Sequence, residues 1–236
     1  MCELGLAGEL VGRTGFCIHP QAIVRGIPKV GGTKTVNLEK IRRLAPTHVI
    51  VNVDENRKET ADALAAIVPN VVVTHPLGPL DNLALYRQIG TLFGKTREAK
   101  ELSARFESAL REIEKKYFPP RNVLYLIWKD PWMTVSRDTY VSRTLALFGL
   151  KTLPASANAR YPTLKNLDVR GTELVLLSTE PYRFQEQHRK ELQQQMKLPV
   201  HIVDGEMTSW YGSRAIAGLA YLAEFSSRLS SPRGAA

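Results

Sequence analysis

Large aromatic side chains follow apolar runs in this chain, a pattern typical of a binding surface rather than of acid/base catalysis. Trp128 and Trp132 come at and after the apolar run 122–128, and Trp210 follows the run 199–203. Flat rings with a polar edge suit a wide, planar or bulky ligand, which a few polar groups then orient. The alternative interpretation is that Trp128 ends a core strand and Trp132 covers it.

Basic side chains flank the ends of the predicted strands. They are Arg13, Lys34, Arg57, Lys129 and Arg214. At these positions they would attract an anionic ligand. The net charge of the chain is +9, but its lysines and arginines are scattered and no nucleic-acid-reading motif accompanies them. We therefore expect no nucleic-acid partner.

Motifs for catalysis and for resident metals are weak in this sequence. It contains no Gly-x-Ser-x-Gly, no Walker loop and no His-Glu-x-x-His. The glycines of 30–35 resemble a phosphate loop, but their spacing favours a tight turn. Cys17 and His19 are two possible zinc ligands without a third nearby, so we predict neither a catalytic nor a metal site.

The elements that must position the aromatic residues occur twice. In the first copy, a strand at 48–52 leads through a polar turn to a helix at 57–68 and a strand at 71–74. The second copy has the corresponding segments 173–178, 183–196 and 199–203. Strands alternating with helices predict an α/β fold of two Rossmann-like lobes with mainly parallel sheets. Ligands of such sheets lie at the carboxyl ends of strands, so both polar turns should face a shared cleft.

A long charged helix separates the two copies. Its apolar stripe consists of Ala99, Leu102, Phe106, Ala109, Leu110, Ile113 and Tyr117. The stripe predicts a linking helix at 96–118, between an N-terminal lobe at 1–95 and a C-terminal lobe at 119–236. The alternative is an ordinary packing helix within one large domain.

The first copy begins later in the repeated pattern than the second. The second opens with the strand 122–128 and a helix predicted to run to Leu150, whereas 4–6 matches only the end of that helix, 148–150. We therefore expect the N-terminal lobe to lack its first strand, as in an N-terminally truncated chain. No apolar stretch is long enough to span a membrane, and no signal peptide is visible in the sequence as given.

Taken together, these segments resemble the helical-backbone metal receptors, which are the cobalamin-type (class III) periplasmic substrate-binding proteins of ABC transporters. The resemblance rests on 11–20, 29–35, 52–59, 128–133, 178–182 and 209–214. It covers the chain from about residue 3 to residue 225.

The resemblance implies a non-enzymatic transport receptor without an intrinsic cofactor, which binds a corrinoid (cobalamin-like) or related metal chelate between its lobes. The implied ligand contacts are Phe16, Lys34, Asn52, Trp128, Trp132, Glu180, Tyr182, Trp210, Tyr211 and Arg214. Family members dock onto a permease through one acidic residue per lobe, and Glu59 and Glu186 occupy the matching helix starts. A periplasmic or extracytoplasmic monomer is implied, although the chain as given would stay in the cytoplasm.

Two alternatives accompany this hypothesis. Within the same class, the ligand would be a ferric siderophore or haem. In a different class, the chain would be a metal-handling or chelatase-like enzyme subunit that uses Cys17, His19 and Glu180.

Overall fold

The computed structural model describes residues 1–156, 158–167 and 169–230. Its α-helices are α1 (Gln21–Val24), α2 (Leu38–Leu44), α3 (Lys58–Ala65), α4 (Asp81–Leu92), α5 (Thr96–Glu114), α6 (Tyr140–Ala146), α7 (Glu186–Met196), α8 (Gly205–Ser209) and α9 (Arg214–Ser230). Its strands are β1 (His48–Asn52), β2 (Asn70–Thr74), β3 (Arg121–Trp128), β4 (Met133–Thr134), β5 (Leu150–Leu153), β6 (Leu174–Ser178) and β7 (Val200–Val203). The predicted mixed α/β class with mainly parallel strands is confirmed.

The chain divides into two compact units. The first unit comprises Met1–His75 and Arg87–Ala99, and the second comprises Pro76–Tyr86 and the described residues from Lys100 onward. Both α4 and α5 therefore begin in one unit and end in the other. The lobe boundaries expected from the sequence, 1–95, 96–118 and 119–236, stay a prediction.

The first unit is built around a pair of parallel strands. Strand β1 pairs with β2 from His48 opposite Asn70 to Asn52 opposite Thr74. The cluster of buried side chains beside this pair is Val30, Ile41, Val51, Leu64 and Val68. Helices α2 and α3 contribute Ile41 and Leu64 to it, because their apolar residues recur on one face. The unit thus holds the carboxyl ends of β1 and β2 next to each other.

The second unit contains a five-stranded sheet. Its order is β4-β3-β6-β7, and β5 pairs with the amino-terminal half of β3. The pairings β3 with β5, β3 with β6 and β6 with β7 are parallel, and β4 is antiparallel to β3. All five side chains of β6 are buried, as expected for a central parallel strand covered on both faces.

The linking helix is shorter than its apolar stripe predicts. Helix α5 ends at Glu114, which gives a length of about 28 Å at ~1.5 Å per residue. Ala99, Leu102, Phe106 and Ile113 are buried, but Tyr117 lies beyond the helix and is 83% exposed. The prediction of Tyr117 as part of the stripe is wrong. Phe118 precedes Pro119, and a residue before proline is disfavoured from the helical conformation. Phe118 instead packs edge-on against Phe148, with 5.2 Å between ring centroids.

The helix expected to run to Leu150 also ends earlier. Helix α6 stops at Ala146, Gly149 adopts a left-handed φ of 73°, and Leu150 begins β5. A Cβ at Gly149 would lie 2.7 Å from the carbonyl oxygens of Phe118 and Pro119, so this close turn requires glycine. Gly5, its predicted counterpart in the first copy, has a φ of 70°.

Candidate functional site

The carboxyl ends of three parallel strands place the predicted aromatic and polar residues of the second unit along one edge. Strands β3, β6 and β7 are neighbours, and the segments 128–132, 178–184 and 204–214 begin at or just after their carboxyl ends. In an open α/β sheet this edge is the usual ligand-binding side. We call the surface formed by these three segments the carboxyl-edge surface.

Four aromatic side chains form a continuous cluster on this surface. Trp128 contacts Tyr182 edge-on with 5.6 Å between ring centroids, and Tyr182 contacts Phe184 at 4.7 Å. Trp132 stacks on Phe184 at 6.2 Å with an interplanar angle of 3°. The Lys129 ammonium lies 5.9 Å from the centre of the Trp132 ring. The structure thus brings together Trp128, Trp132 and Tyr182 beside Phe184, which is 3% exposed and belongs to the buried core against which Trp132 and Tyr182 pack.

A histidine fixes the orientation of Tyr182. The backbone N–H of Gln185 donates to His188 Nδ1 at 3.0 Å, so in the neutral ring the proton is on Nε2. His188 Nε2 lies 3.3 Å from the Tyr182 hydroxyl oxygen and can donate to it. His188 is the third residue of α7 and completes a reciprocal cap with Gln185. His188 could not be identified from the sequence, because its hydrogen bond to Gln185 depends on the residue at which α7 begins.

Glu180 and Trp210 form the second half of the carboxyl-edge surface. Trp210 Nε1 donates to Glu180 Oε2 at 2.8 Å. Burial is the main reason that the pKa of the Glu180 carboxyl is raised above its usual value, and the Trp210 hydrogen bond opposes that rise. The predicted polar contact Glu180 is therefore attached to the predicted aromatic contact Trp210.

Arg214 forms an ion pair with a carboxylate, so its positive charge is partly neutralised within the protein. Its Nη2 donates to Glu206 Oε2 at 2.6 Å, and its guanidinium carbon lies 5.6 Å from the Trp210 ring centre. The Nε atom of Arg214 is buried and has no hydrogen-bond partner among the described residues. Glu206, the partner that neutralises Arg214, was missed from the sequence because it belongs to the short helix α8.

Tyr211 follows Trp210 in the sequence and packs against α6. Its ring contacts the ring of Tyr140 edge-on, with 6.0 Å between centroids. Burial raises the pKa of Tyr140 to about 12, so its hydroxyl stays protonated at neutral pH. The predicted ligand contacts in the second half of the chain all belong to the second unit: Trp128, Trp132, Glu180, Tyr182, Trp210, Tyr211 and Arg214.

The remaining predicted contacts belong to the first unit. Phe16 is 61% exposed, and Lys34 Nζ donates to the Asp54 carbonyl oxygen at 2.7 Å. Asn52 is only 7% exposed: its Nδ2 donates to the Thr74 carbonyl at 3.0 Å, and its Oδ1 accepts from the Asp54 N–H at 2.9 Å. Asn52 therefore joins the ends of β1 and β2, and its contact with a ligand stays a prediction.

The two predicted docking carboxylates are exposed at helix starts. Glu59 lies in the first turn of α3 and Glu186 in the first turn of α7. Arg189 Nε donates to Glu186 at 2.8 Å, and this hydrogen bond is the main reason that the pKa of Glu186 is lowered. The helix dipole favours both charges at these positions.

The residues of the enzyme alternative do not form a metal site in the described part of the chain. Within residues 1–156, 158–167 and 169–230, there is no group of three or more His, Cys, Asp or Glu side chains placed to hold a metal ion. Cys17 is exposed, with its sulfur 3.4 Å from the Thr14 hydroxyl. Cys17 and His19 belong to the first unit and Glu180 to the second.

The same described residues include no helix long and apolar enough to cross a membrane.

Several solved structures have this fold. The periplasmic vitamin B12 binding protein BtuF of Vibrio cholerae has a TM-score of 0.80 and 14% sequence identity, over 98% of this chain and 93% of that chain. The periplasmic heme-binding protein RhuT from Roseiflexus sp. RS-1 also has a TM-score of 0.80, with 19% identity over 98% of this chain and 94% of that one. The heme-binding protein HutB of Vibrio cholerae has a TM-score of 0.77, with 17% identity and coverages of 98% and 94%.

Sequence comparison identifies the family independently of these structures. A search of curated protein sequences found no match. The sequence profile of the periplasmic binding protein family, however, matches residues 1–164, which is well over half of the 236 residues. This match agrees with the two α/β units and with the fold shared with periplasmic binding proteins of low sequence identity, and the chain therefore belongs to the periplasmic binding protein family.

Proposed function

We propose that this protein is the substrate-binding receptor of an ABC importer and that it binds a corrinoid or related metal chelate on its carboxyl-edge surface. Family membership supports the receptor class. The observation that carries the ligand class is the aromatic cluster of Trp128, Tyr182, Phe184 and Trp132 at the ends of β3 and β6.

The chemistry of this surface suits a flat macrocycle. Aromatic rings cover one face of such a ligand and remove it from water, and they lose little conformational entropy because they are already packed against one another. Glu180, Trp210 and Arg214 lie beside the cluster with their own hydrogen bonds formed. Polar groups at the edge of a macrocycle would meet these side chains, which would set its orientation.

Haem and ferric siderophores are the alternative ligands within the same class. The proteins with similar structures include a vitamin B12 receptor and heme receptors, at equal TM-scores for BtuF and RhuT. Corrins and porphyrins share a wide ring around a metal, so aromatic stacking accommodates either. Their edge groups differ, because haem carries two carboxylates and cobalamin carries mainly amides. The charges beside the aromatic cluster should therefore decide between them.

The proposal extends to partners and location. We infer that the protein works as a monomer outside the cytoplasmic membrane, that it has no intrinsic cofactor and that it delivers its ligand to a permease. Phe16, Lys34 and Asn52 in the first unit are proposed as further ligand contacts. Two α/β lobes on either side of a linking helix at 96–118 are proposed as the functional domains.

Binding titrations test the proposal directly. The purified protein is titrated with cyanocobalamin, hemin, a ferric siderophore and metal-free protoporphyrin IX, and binding is followed by calorimetry and by quenching of tryptophan fluorescence. We expect saturable binding of one chelate, and replacing both Trp128 and Trp132 by Ala should weaken it by about tenfold or more.

The matched control is Tyr117→Ala, which removes an aromatic ring that is 83% exposed and lies outside the carboxyl-edge surface. This variant should bind like the parent protein. A parent protein that binds none of the four compounds, or a double tryptophan variant with unchanged affinity, would refute the proposal.

A further inference from the structure

The loop that carries Trp210 and Tyr211 is held by side chains from a distant helix. Gly212 follows these two aromatic residues, between α8 and α9. Its N–H donates to Asn82 Oδ1 at 2.7 Å, and its carbonyl oxygen accepts from the Tyr86 hydroxyl at 2.8 Å. Both backbone polar groups of this loop residue therefore bond to α4, about 130 positions away in sequence, and the carbonyl also accepts from the Ala215 N–H at 3.0 Å.

Asn82 is held in a single orientation. Its side chain is fully buried, and Nδ2 donates both to the Pro79 carbonyl at 2.8 Å and to the Tyr140 hydroxyl at 3.0 Å. The amide nitrogen must face oxygens and the amide oxygen must face an N–H, so only one orientation satisfies all three contacts. Asn82 thereby fixes the position of Gly212.

Tyr86 is equally constrained. Its side chain is 3% exposed and its ring packs edge-on against Phe106, with 6.0 Å between centroids. Burial raises the pKa of the Tyr86 hydroxyl, which therefore keeps the proton that it donates to Gly212. Residues four apart lie on the same face of a helix, so Asn82 and Tyr86 reach the loop together.

Gly212 needs this support because its backbone conformation is unusual. Its φ of 78° lies in the left-handed region, which glycine adopts readily but does not prefer over its other conformations. Without Asn82 and Tyr86, the Gly212 N–H would lose its partner and the carbonyl would keep only the Ala215 N–H, so the loop would sample other arrangements. Trp210 and Tyr211 would then move with it.

We propose that Asn82 and Tyr86 are positioning residues for ligand binding: they fix the 210–213 loop so that Trp210 and Tyr211 are already in place when the ligand arrives. This inference rests on the proposed function. A loop that is ordered before binding does not have to be ordered by the ligand, so the apparent affinity rises with the fraction of molecules in the competent conformation.

The position of these residues within α4 gives the arrangement a further consequence. Residues 81–86 of the helix belong to the second unit, and residues 87–92 belong to the first. The aromatic loop is thus attached to an element that continues into the other unit. A displacement of α4 would change the position of Gly212 and, through it, that of Trp210 and Tyr211.

The test combines hydrogen exchange of the ligand-free protein with ligand titration. Tyr86→Phe removes only the hydroxyl, Asn82→Ala removes all three contacts, and Asn82→Asp keeps an acceptor for Gly212 but loses the donors. Exchange of the 209–213 amides should be faster in all three variants, and most of all in Asn82→Ala. Binding of hemin or cyanocobalamin, whichever the parent binds, should weaken by about tenfold in Tyr86→Phe.

The control is Thr152→Val, which also deletes a fully buried hydroxyl in the second unit. Thr152 Oγ1 bonds to Ser142, and β5 pairs with the amino-terminal half of β3, away from the 210–213 loop in the sheet register. The thermal stability of the Thr152→Val variant should fall as it does in Tyr86→Phe. Its amide exchange at 209–213 and its ligand affinity should stay at the values of the parent protein. This comparison separates positioning from general destabilisation.

Each result has a defined meaning. Unchanged exchange at 209–213 in Tyr86→Phe and Asn82→Ala would overturn the inference, and so would faster exchange with unchanged affinity. If the parent protein binds none of the four compounds, the proposed function fails, while the exchange data alone still decide whether α4 holds the loop.

Discussion

At the scale of single residues, the polar groups of the carboxyl-edge surface are already paired before any ligand binds. Trp210 donates to Glu180, and Arg214 is bound to Glu206. Such pairing reduces the desolvation cost of a polar group when a ligand covers it, because the hydrogen bond to protein is kept. The exception is the buried Nε of Arg214, which has no partner in the described residues and remains able to donate.

Glu180 provides a pH test of this arrangement. Burial raises its pKa above the ordinary value of 4.5, so the folded state binds the proton more tightly than the unfolded state does. Its contribution to stability is therefore present below pH 4.5 and is lost as the pH rises through the folded-state pKa. Glu180→Gln cannot ionise but keeps an oxygen that accepts from Trp210. The variant should gain stability relative to the parent protein across this rise in pH.

Urea unfolding of both proteins, at a series of pH values from about 4 to about 8, measures this difference. Glu107→Gln, at an exposed position of α5, serves as the control and should show a smaller change with pH. A difference between Glu180→Gln and the parent that stays constant over the whole range would contradict the assignment.

At the scale of elements, the candidate surface depends on how α8 is fitted between β7 and α9. Asp204 begins α8 by accepting from the N–H groups of Glu206 and Met207 at 2.9 and 3.3 Å. A Cβ on Gly205 would lie 2.6 Å from Ser178 Oγ and 2.7 Å from the Glu180 nitrogen. Helix α8 therefore lies directly against the turn that carries Glu180, and its placement decides where Trp210 can reach.

Gly218 tests the close packing of α8 on α9. Replacing a helical glycine by alanine normally stabilises a helix by roughly 1 kcal/mol. Here the new Cβ would overlap the Met207 carbonyl oxygen, and relieving such overpacking typically costs about 1–3 kcal/mol. Gly218→Ala should therefore lower the free energy of unfolding despite the better helix propensity.

Chemical unfolding measures this free energy, and Gly26→Ala is the matched control because its added Cβ would meet nothing within 4 Å. The shift of α8 should also weaken chelate binding through Trp210. A Gly218→Ala protein that is more stable than the parent would show that α8 and α9 do not pack this closely.

At the scale of the whole molecule, the two units present comparable helix starts. Helix α3 follows β1 in the first unit and α7 follows β6 in the second, and each has a glutamate in its first turn. Glu59 and Glu186 are exposed, and neither belongs to the segments that form the carboxyl-edge surface. This repeated placement supports the proposal that they contact permease arginines.

Charge reversal at both positions tests the docking proposal. Changing Glu59 and Glu186 to Lys should leave chelate affinity at the parent value, because both side chains lie outside the carboxyl-edge surface. Uptake through the cognate permease should be lost, because like charges would then oppose each other at the interface. Loss of the Glu186 pair with Arg189 should cost little, since the pair is largely exposed.

The measurement is ligand uptake by cells that export the protein and express the permease. Reversal of Glu107 and Glu114 on α5 gives the same change in net charge at exposed positions and should leave uptake intact. If uptake survives the reversal of Glu59 and Glu186, these residues are not part of the docking face.

The sequence by itself determined the elements whose patterns are local. The apolar runs at 48–52 and 122–128 predict β1 and β3 nearly to the residue, because both are rich in residues that favour strands. In β3 the run is also continuous because residues 123–126 are buried on both faces of the sheet. Their repetition across the charged helix predicts the α/β class. The segments quoted for the family resemblance likewise needed no tertiary information.

The tertiary structure alone decided which side chains meet. Strand β5 and helix α8 are only four and five residues long, too short to show a period. Glu206 acquires its partner through the placement of α8, and His188 acquires its partners through the start of α7. The contacts of Asn82 and Tyr86 with Gly212 join segments more than 120 positions apart, and no local pattern encodes them. Hydrogen bonding across such separations depends on how the helices pack, which is a property of the whole fold.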